Sequence, residues 1–236
     1  GLHSIIEAIE AGRDIEKIYL KRDFGGELVK TLFAKIKTYG IPCRKVPVEK
    51  LNSFTEKNHQ GAVAFVAEIS YSNISDIIPT LYEAGKTPII VALDGVTDIR
   101  NFGAISRTCE CAGVDAILLP SYCSATINAD AVKTSAGALH YLPVCRTDNL
   151  CQAIKFLKDS GFTIIALSEK ANIAYTDQDY SSPTVLVLGA EDRGISSEVL
   201  SLCDSKVKIP VLGKIESLNV SVAAGIVIYE AVKSRQ

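Results

Sequence analysis

Residues 209–230 read IPVLGKIESLNVSVAAGIVIYE, a Ser-Leu-Asn-Val-Ser cluster set between a short strand and a long run that is apolar almost all round. A helix entrance leaves backbone N–H groups without partners, and polar residues placed there either cap the helix or hold a ligand. Ser217 has the chemistry of an N-cap and Leu218 that of a core residue, so a helix is predicted over 217–234. Its apolar surround from Leu218 to Val232 is compatible with a helix buried on two sides.

Working outward, two earlier segments share this grammar. DGVTDIRNFGAISRTCECAGV, residues 94–114, follows the apolar run Ile89–Leu93, and LVLGAEDRG, residues 186–194, completes the run Val185–Leu188. With Ala116–Leu119 and Thr163–Leu167, these runs read as strands buried on both faces of a parallel sheet. Helical patterns at about 101–112, 128–137, 147–159 and 196–202 supply the crossovers. The chain from residue 88 to 236 is therefore expected to be an α/β domain with a mostly parallel sheet. Three strand ends bearing glycines and polar residues point to one site.

The first part alternates differently. Short strands at 17–20, 43–46 and 62–67, separated by helical patterns at about 3–11, 24–38 and 48–54, predict a small α/β domain over 1–68. Between the two domains, SYSNISDIIPTLYEAGKTP at 70–88 is broken by Ser, Asn, Gly and Pro around one weak helix, and 69–87 reads as a linker.

Composition narrows the classes. The 236 residues carry a net charge of −2, with 11 Lys plus Arg against 9 Asp plus Glu in the first 70, so a nucleic-acid surface would have to come from local clustering of cations. Seven scattered cysteines fit a reducing compartment rather than a disulfide framework. Without a long apolar stretch or a basic-then-apolar leader, a cytoplasmic protein with no membrane partner is expected. Cys109 and Cys111 sit at i and i+2 on a predicted helix and point apart, so no metal site is expected. GAEDRG is neither a Walker A loop nor GxGxxG, which sets aside a phosphate cradle and a hydride-transfer enzyme.

In wording and order, NFGAISR with its flanks LDGVTD and AGVDAILLP, then LVLGAEDRG, then IP…SLNVSVA, resemble the three signature motifs of the SpoU (TrmH-like) family. These are RNA ribose 2'-O-methyltransferases of the SPOUT superfamily. The resemblance implies a C-terminal deep trefoil knot, S-adenosylmethionine as cosubstrate, no metal, and a homodimer formed partly through the last helix. It assigns Asn101, Arg107, Glu191, Ser217 and Asn219 to the active site, and Gly189, Ile209 and Leu218 to the cofactor. From the residues alone, Asp98 or Asn101 could cap a helix and Arg107 could be a solvated cation. GLHSIIEAIEAG at 1–12 and His59-Gln60-Gly61 resemble the L30e-like RNA-binding domain of some members, which points to a guanosine of 23S ribosomal RNA as target. A transfer RNA ribose methyltransferase shares all three motifs, and a non-catalytic RNA-binding relative is the alternative from another class. His140 reads as structural.

Overall fold

The structure, a computed structural model, describes residues 1–215 and 217–235. Its contacts divide the chain into two units, Gly1–Ser70 and Tyr71–Gln236. The first contains α1 (Leu2–Glu10), β1 (Ile15–Lys21), α2 (Glu27–Thr38), β2 (Cys43–Val46), α3 (Val48–Asn52) and β3 (Ala62–Val66). Its sheet has the order β2-β1-β3, with β2 parallel and β3 antiparallel to β1. Leu2, Ile5, Ile6 and Ile9 of α1 and Val29, Leu32 and Ile36 of α2 recur at helical spacing and pack with Ile18, Leu20 and Ala62.

The second unit runs α4 (Ile74–Glu83), β4 (Ile89–Asp94), α5 (Ile99–Cys111), β5 (Ala116–Pro120), α6 (Ala129–Thr134), a 3-10 turn at Ala138–His140, β6 (Val144–Thr147) and α7 (Leu150–Asp159). It continues with β7 (Thr163–Leu167), β8 (Ile173–Ala174), a 3-10 turn at Tyr175–Asp177, β9 (Thr184–Gly189), α8 (Ser197–Leu200), β10 (Ser205–Lys208) and α9 (Val220–Lys233). The sheet order is β6-β5-β4-β9-β7-β10-β8, and its ladders are parallel. From β4 the chain steps outward through β5 and β6, then crosses to β7 on the other side. Such a reversal opens a crevice at the carboxyl ends of the strands.

Ile74 and Ile78 of α4 join the buried cluster formed by β4, β5, β7 and β9 with α7. The segment read as a linker over 69–87 thus contains a core helix of the second unit. Asn73, whose side chain accepts from Ser75 N–H, and Gly85 at φ +68° are that helix's punctuation, which composition alone mistook for a connector. The short strand expected ahead of Ser217 is β10, at Ser205–Lys208. Strands β6 and β8 went unread, β8 because two residues show no periodicity and β6, VCRT, because half of it is polar.

Val220, Ala224, Val227, Ile228 and Ala231 form the buried stripe of α9, facing Ile165, Leu186 and Val207 on the sheet. Its other side leaves Val222 and Tyr229 each 52% exposed, so the helix expected to be buried on two sides is buried on one side within the chain. Gly103 of the NFGAISR motif has a packing role: a Cβ there would lie 2.7 Å from Thr134 Cβ. Gly103→Ala is expected to cost about 1–3 kcal/mol by forcing α5 from α6, measured as a lower melting temperature.

The far end of α9 is tied down by Arg235, which donates through Nε to Tyr180 O, through Nη1 to Thr87 O, and through Nη2 to Ser182 O and Thr184 Oγ1. Among the described residues no helix is long and apolar enough to cross a membrane and no metal-binding cluster occurs. All seven cysteines are free.

Candidate active site

Three loops at the carboxyl edge of the sheet carry the motifs. Asp94 ends β4 and accepts from Ser196 N–H at 2.7 Å, fastening the segment after β9 to the neighbouring strand. Asp98 caps α5 through Asn101 N–H at 2.9 Å, which settles the choice between the two candidate caps. After β9, Ala190 and Gly194 exchange backbone hydrogen bonds of 3.1 and 2.9 Å, closing residues 190–194 into a hairpin that folds back on Gly189.

Asn219, not Ser217, caps α9: its Oδ1 accepts from Ser221 N–H at 3.0 Å, Val222 N–H at 3.4 Å and Ser221 Oγ at 2.6 Å. The helix starts two residues later than the side-chain chemistry implied: Ser217 and Leu218 lie before it and line the cleft. The Nδ2 of the same residue donates to Glu191 Oε1 at 2.8 Å and to Asn101 Oδ1 at 3.0 Å, while Asn101 Nδ2 donates to Glu191 Oε1 at 2.8 Å. Side chains 90 and 118 positions apart in the chain thereby close into one triangle. Both amides address a single oxygen of Glu191, which leaves Oε2 open, among the described residues, to accept from an incoming hydroxyl.

Beside this triangle lies a cleft of about 350 Å³ within the range typical of small-molecule sites. Gly189, Glu191, Ile209, Ser217 and Leu218 line it, five of the eight residues singled out from the sequence. Leu218 is 42% exposed and lines the cleft, so the core position expected from its apolar character is corrected: it precedes the helix, whose buried stripe begins at Val220. Ile209 and Val211 add to the apolar wall. Ser168, Glu169 and Lys170 form a polar rim that sequence reading missed; their signal was the end of the strand run at Leu167, the same kind of position as the other motifs.

Arg107 stands apart. It lies six residues beyond Asn101 on α5, about 9 Å along the axis and about 120° around it. Its side chain is exposed, and no hydrogen bond or ion pair joins it to the triangle among the described residues. The chain alone assembles Asn101, Glu191 and Asn219 but does not bring Arg107 to them.

Asn219→Ala removes the cap and both amide contacts in one step. Loss of the cap costs about 0.5–2 kcal/mol, so a fall of about 1–8 °C in melting temperature is expected, together with reduced activity.

In the first unit, His59 Nε2 meets Asn52 Oδ1 at 2.8 Å and its Nδ1 accepts from Gly61 N–H at 3.0 Å, so His59 organises the turn into β3. The Gln60 side chain lies against Gly1, placing the two segments that matched the L30e-like pattern side by side.

The fold and cleft define an α/β protein with a ligand-sized cleft at the carboxyl ends of parallel strands and an amide–carboxylate cluster beside it. The chain belongs to the SpoU rRNA methylase family, whose profile matches residues 88–229, and residues 1–72 match the profile for RNA 2'-O ribose methyltransferase substrate binding. A Staphylococcus epidermidis protein named for the TrmH family of tRNA/rRNA methyltransferases is 33% identical over 100% of this chain and 94% of its own. The crystal structure of AdoMet-bound rRNA methyltransferase from Sinorhizobium meliloti is 28% identical, with a TM-score of 0.64 over 99% of this chain and 85% of its own. That of the A. aeolicus TrmH/SpoU tRNA modifying enzyme is 35% identical, with a TM-score of 0.58 over 68% of this chain and 83% of its own.

Proposed function

We propose that this protein transfers a methyl group from S-adenosylmethionine to the ribose 2'-hydroxyl of a guanosine in 23S ribosomal RNA. The observation that carries this reading is the Asn101–Glu191–Asn219 triangle at the mouth of a cleft whose walls fit the cosubstrate. Ile209, Val211 and Leu218 supply an apolar wall suited to adenine, and Gly189 permits close backbone approach. The AdoMet-bound state of the Sinorhizobium meliloti relative supports the cosubstrate. When bound, it supplies a sulfonium-activated methyl group, and no metal is required.

The work left to the protein is alignment and charge. Glu191 Oε2 is free to accept the 2'-hydroxyl proton in a hydrogen bond, while the two amides hold the carboxylate in place. Arg107 is permanently protonated and cannot act as a base; it binds the adjacent phosphate and stabilises the developing alkoxide.

Its distance from the triangle fits a site completed by a second protomer. The exposed Val222 and Tyr229 of α9, with Leu212 at 98% and Ile215 at 76% exposure beside the cleft, supply an apolar face for a homodimer. Mixing Arg107→Ala with Glu191→Ala protein should then restore activity that neither has alone; no recovery would place both roles within one chain.

Ribosomal RNA is favoured by the likeness to the Sinorhizobium meliloti rRNA methyltransferase over 99% of this chain. The 35% identity to the A. aeolicus tRNA modifying enzyme supports transfer RNA as a second reading. Family membership also supports an L30e-like first domain, a trefoil knot in the C-terminal segment, and action in the cytoplasm, where the RNA is. The test is labelled methyl transfer to separate unmodified ribosomal and transfer RNA pools, followed by nucleoside identification. Label in 2'-O-methylguanosine from ribosomal RNA alone is expected; label only in transfer RNA would overturn the substrate.

A further inference from the structure

Within the first unit, α1 and α2 cover one face of the sheet, and the opposite face carries a different set of side chains. The ladder sets Lys17 opposite Phe65, Tyr19 opposite Val63, and Tyr19 opposite Arg44 on the other neighbour. Alternation therefore directs Lys17, Tyr19, Lys21, Arg44 and Phe65 to this one face. Phe54, just beyond α3, joins them: its ring centroid is 4.7 Å from that of Tyr19 and 5.3 Å from that of Phe65. All three rings are only partly buried.

Cations surround the rings. Lys17 Nζ lies 5.4 Å from the Tyr19 centroid, and Lys50 Nζ lies 4.9 Å from the Phe54 centroid. Lys17, Lys21, Arg44 and Lys50 have no carboxylate partner among the described residues, whereas Lys35, on α2, is paired with Glu10 at 2.9 Å. Unneutralised cations around three aromatic rings complement an anionic polymer of flat bases. Lysine is depleted at protein–protein interfaces, and proteins that hold single strands use this combination of stacking rings and basic groups.

We propose that this face binds unpaired nucleotides of the RNA substrate, with bases stacking on Tyr19, Phe54 and Phe65 and phosphates held by Lys17, Lys21, Arg44 and Lys50. The proposal rests on the reading of this chain as an RNA-modifying enzyme and adds where the RNA is gripped. None of these residues belongs to the methyl-transfer cleft.

The test uses the full chain, a single-stranded oligoribonucleotide containing 4-thiouridine, and the ribosomal RNA pool. The Lys17→Ala/Arg44→Ala/Lys50→Ala variant is expected to lose about tenfold or more in single-strand affinity and to flatten the salt dependence by about two units of slope. KM for RNA should rise while S-adenosylmethionine affinity and melting temperature hold. Tyr19→Leu/Phe54→Leu, which keeps apolar volume, should lose affinity with the salt slope unchanged, and photocrosslinks should map to the ring residues. Unchanged affinity in both variants, crosslinks elsewhere, preference for a duplex, or a protein partner occupying the face would overturn the proposal. Methyl transfer by the unaltered protein with no KM change in the variants would reject this face and keep the reaction. Loss of RNA binding in the variants, when the unaltered protein methylates no RNA, would keep the face and reject the reaction.

Discussion

Replacing Arg107 by Ala is expected to lower methyl transfer by about 10²–10³-fold, the usual consequence of removing one donor aimed at developing negative charge, with S-adenosylmethionine affinity unchanged. The two halves of this expectation come from separate observations. Arg107 is exposed on α5 and does not line the cleft, so its removal leaves the cosubstrate walls intact. Its guanidinium offers a planar fork to a phosphate or alkoxide and keeps its charge throughout. Arg107→Lys retains the charge without the fork and should recover only part of the loss. Single-turnover transfer of labelled methyl, set beside equilibrium cosubstrate binding, checks both halves. Normal turnover in Arg107→Ala would remove this residue from the mechanism.

Gly189→Ala should act on the other side of the reaction. A Cβ at Gly189 would fall onto Gly194 C and Ile195 N and come within 2.5 Å of Gly194 O. Those are backbone atoms of the hairpin that closes over Gly189, so no flexible side chain can yield. Overpacking of this kind costs about 1–3 kcal/mol. If it is relieved by opening the hairpin, Glu191 leaves its 2.8 Å contacts and the cleft loses a wall. Cosubstrate affinity should fall by about 100-fold, equivalent to about 2.8 kcal/mol. Gly194→Ala is the control: its φ of +69° makes a side chain strained, yet a Cβ there meets nothing within 4 Å. It should cost about 1 kcal/mol in stability and much less in binding. Isothermal calorimetry with thermal melts separates the two, and equal affinity in Gly189→Ala and the unaltered protein would contradict the hairpin's role.

Where the sequence was read correctly, local physics sufficed. The apolar runs at 89–93, 116–119, 163–167 and 185–188 became β4, β5, β7 and β9 because strands covered on both faces must be apolar throughout. Reading failed where a feature was short or had two explanations. Asn73, Pro79 and Gly85 could punctuate either a linker or a helix, and the burial of Ile74 and Ile78 decides for the helix. Ser217 and Asn219 are both good caps, and the start of the helix at Val220, with the Asn219 side chain on the N–H groups of Ser221 and Val222, selects Asn219.

The sequence by itself determined which side chains stand at strand ends and helix entrances, because period, capping chemistry and glycine placement act over a few residues. Through its motifs it also marked the family. Only the tertiary structure decided that Asn101, Glu191 and Asn219 share hydrogen bonds while Arg107 does not join them. Helical spacing sets Asn101 and Arg107 on different faces of α5, whereas the pairing of β9 beside β4 and the packing of α9 on α5 bring residues 90 and 118 positions distant to within 3.0 Å. Contacts at that separation depend on strand order and crossover direction, which no local pattern encodes.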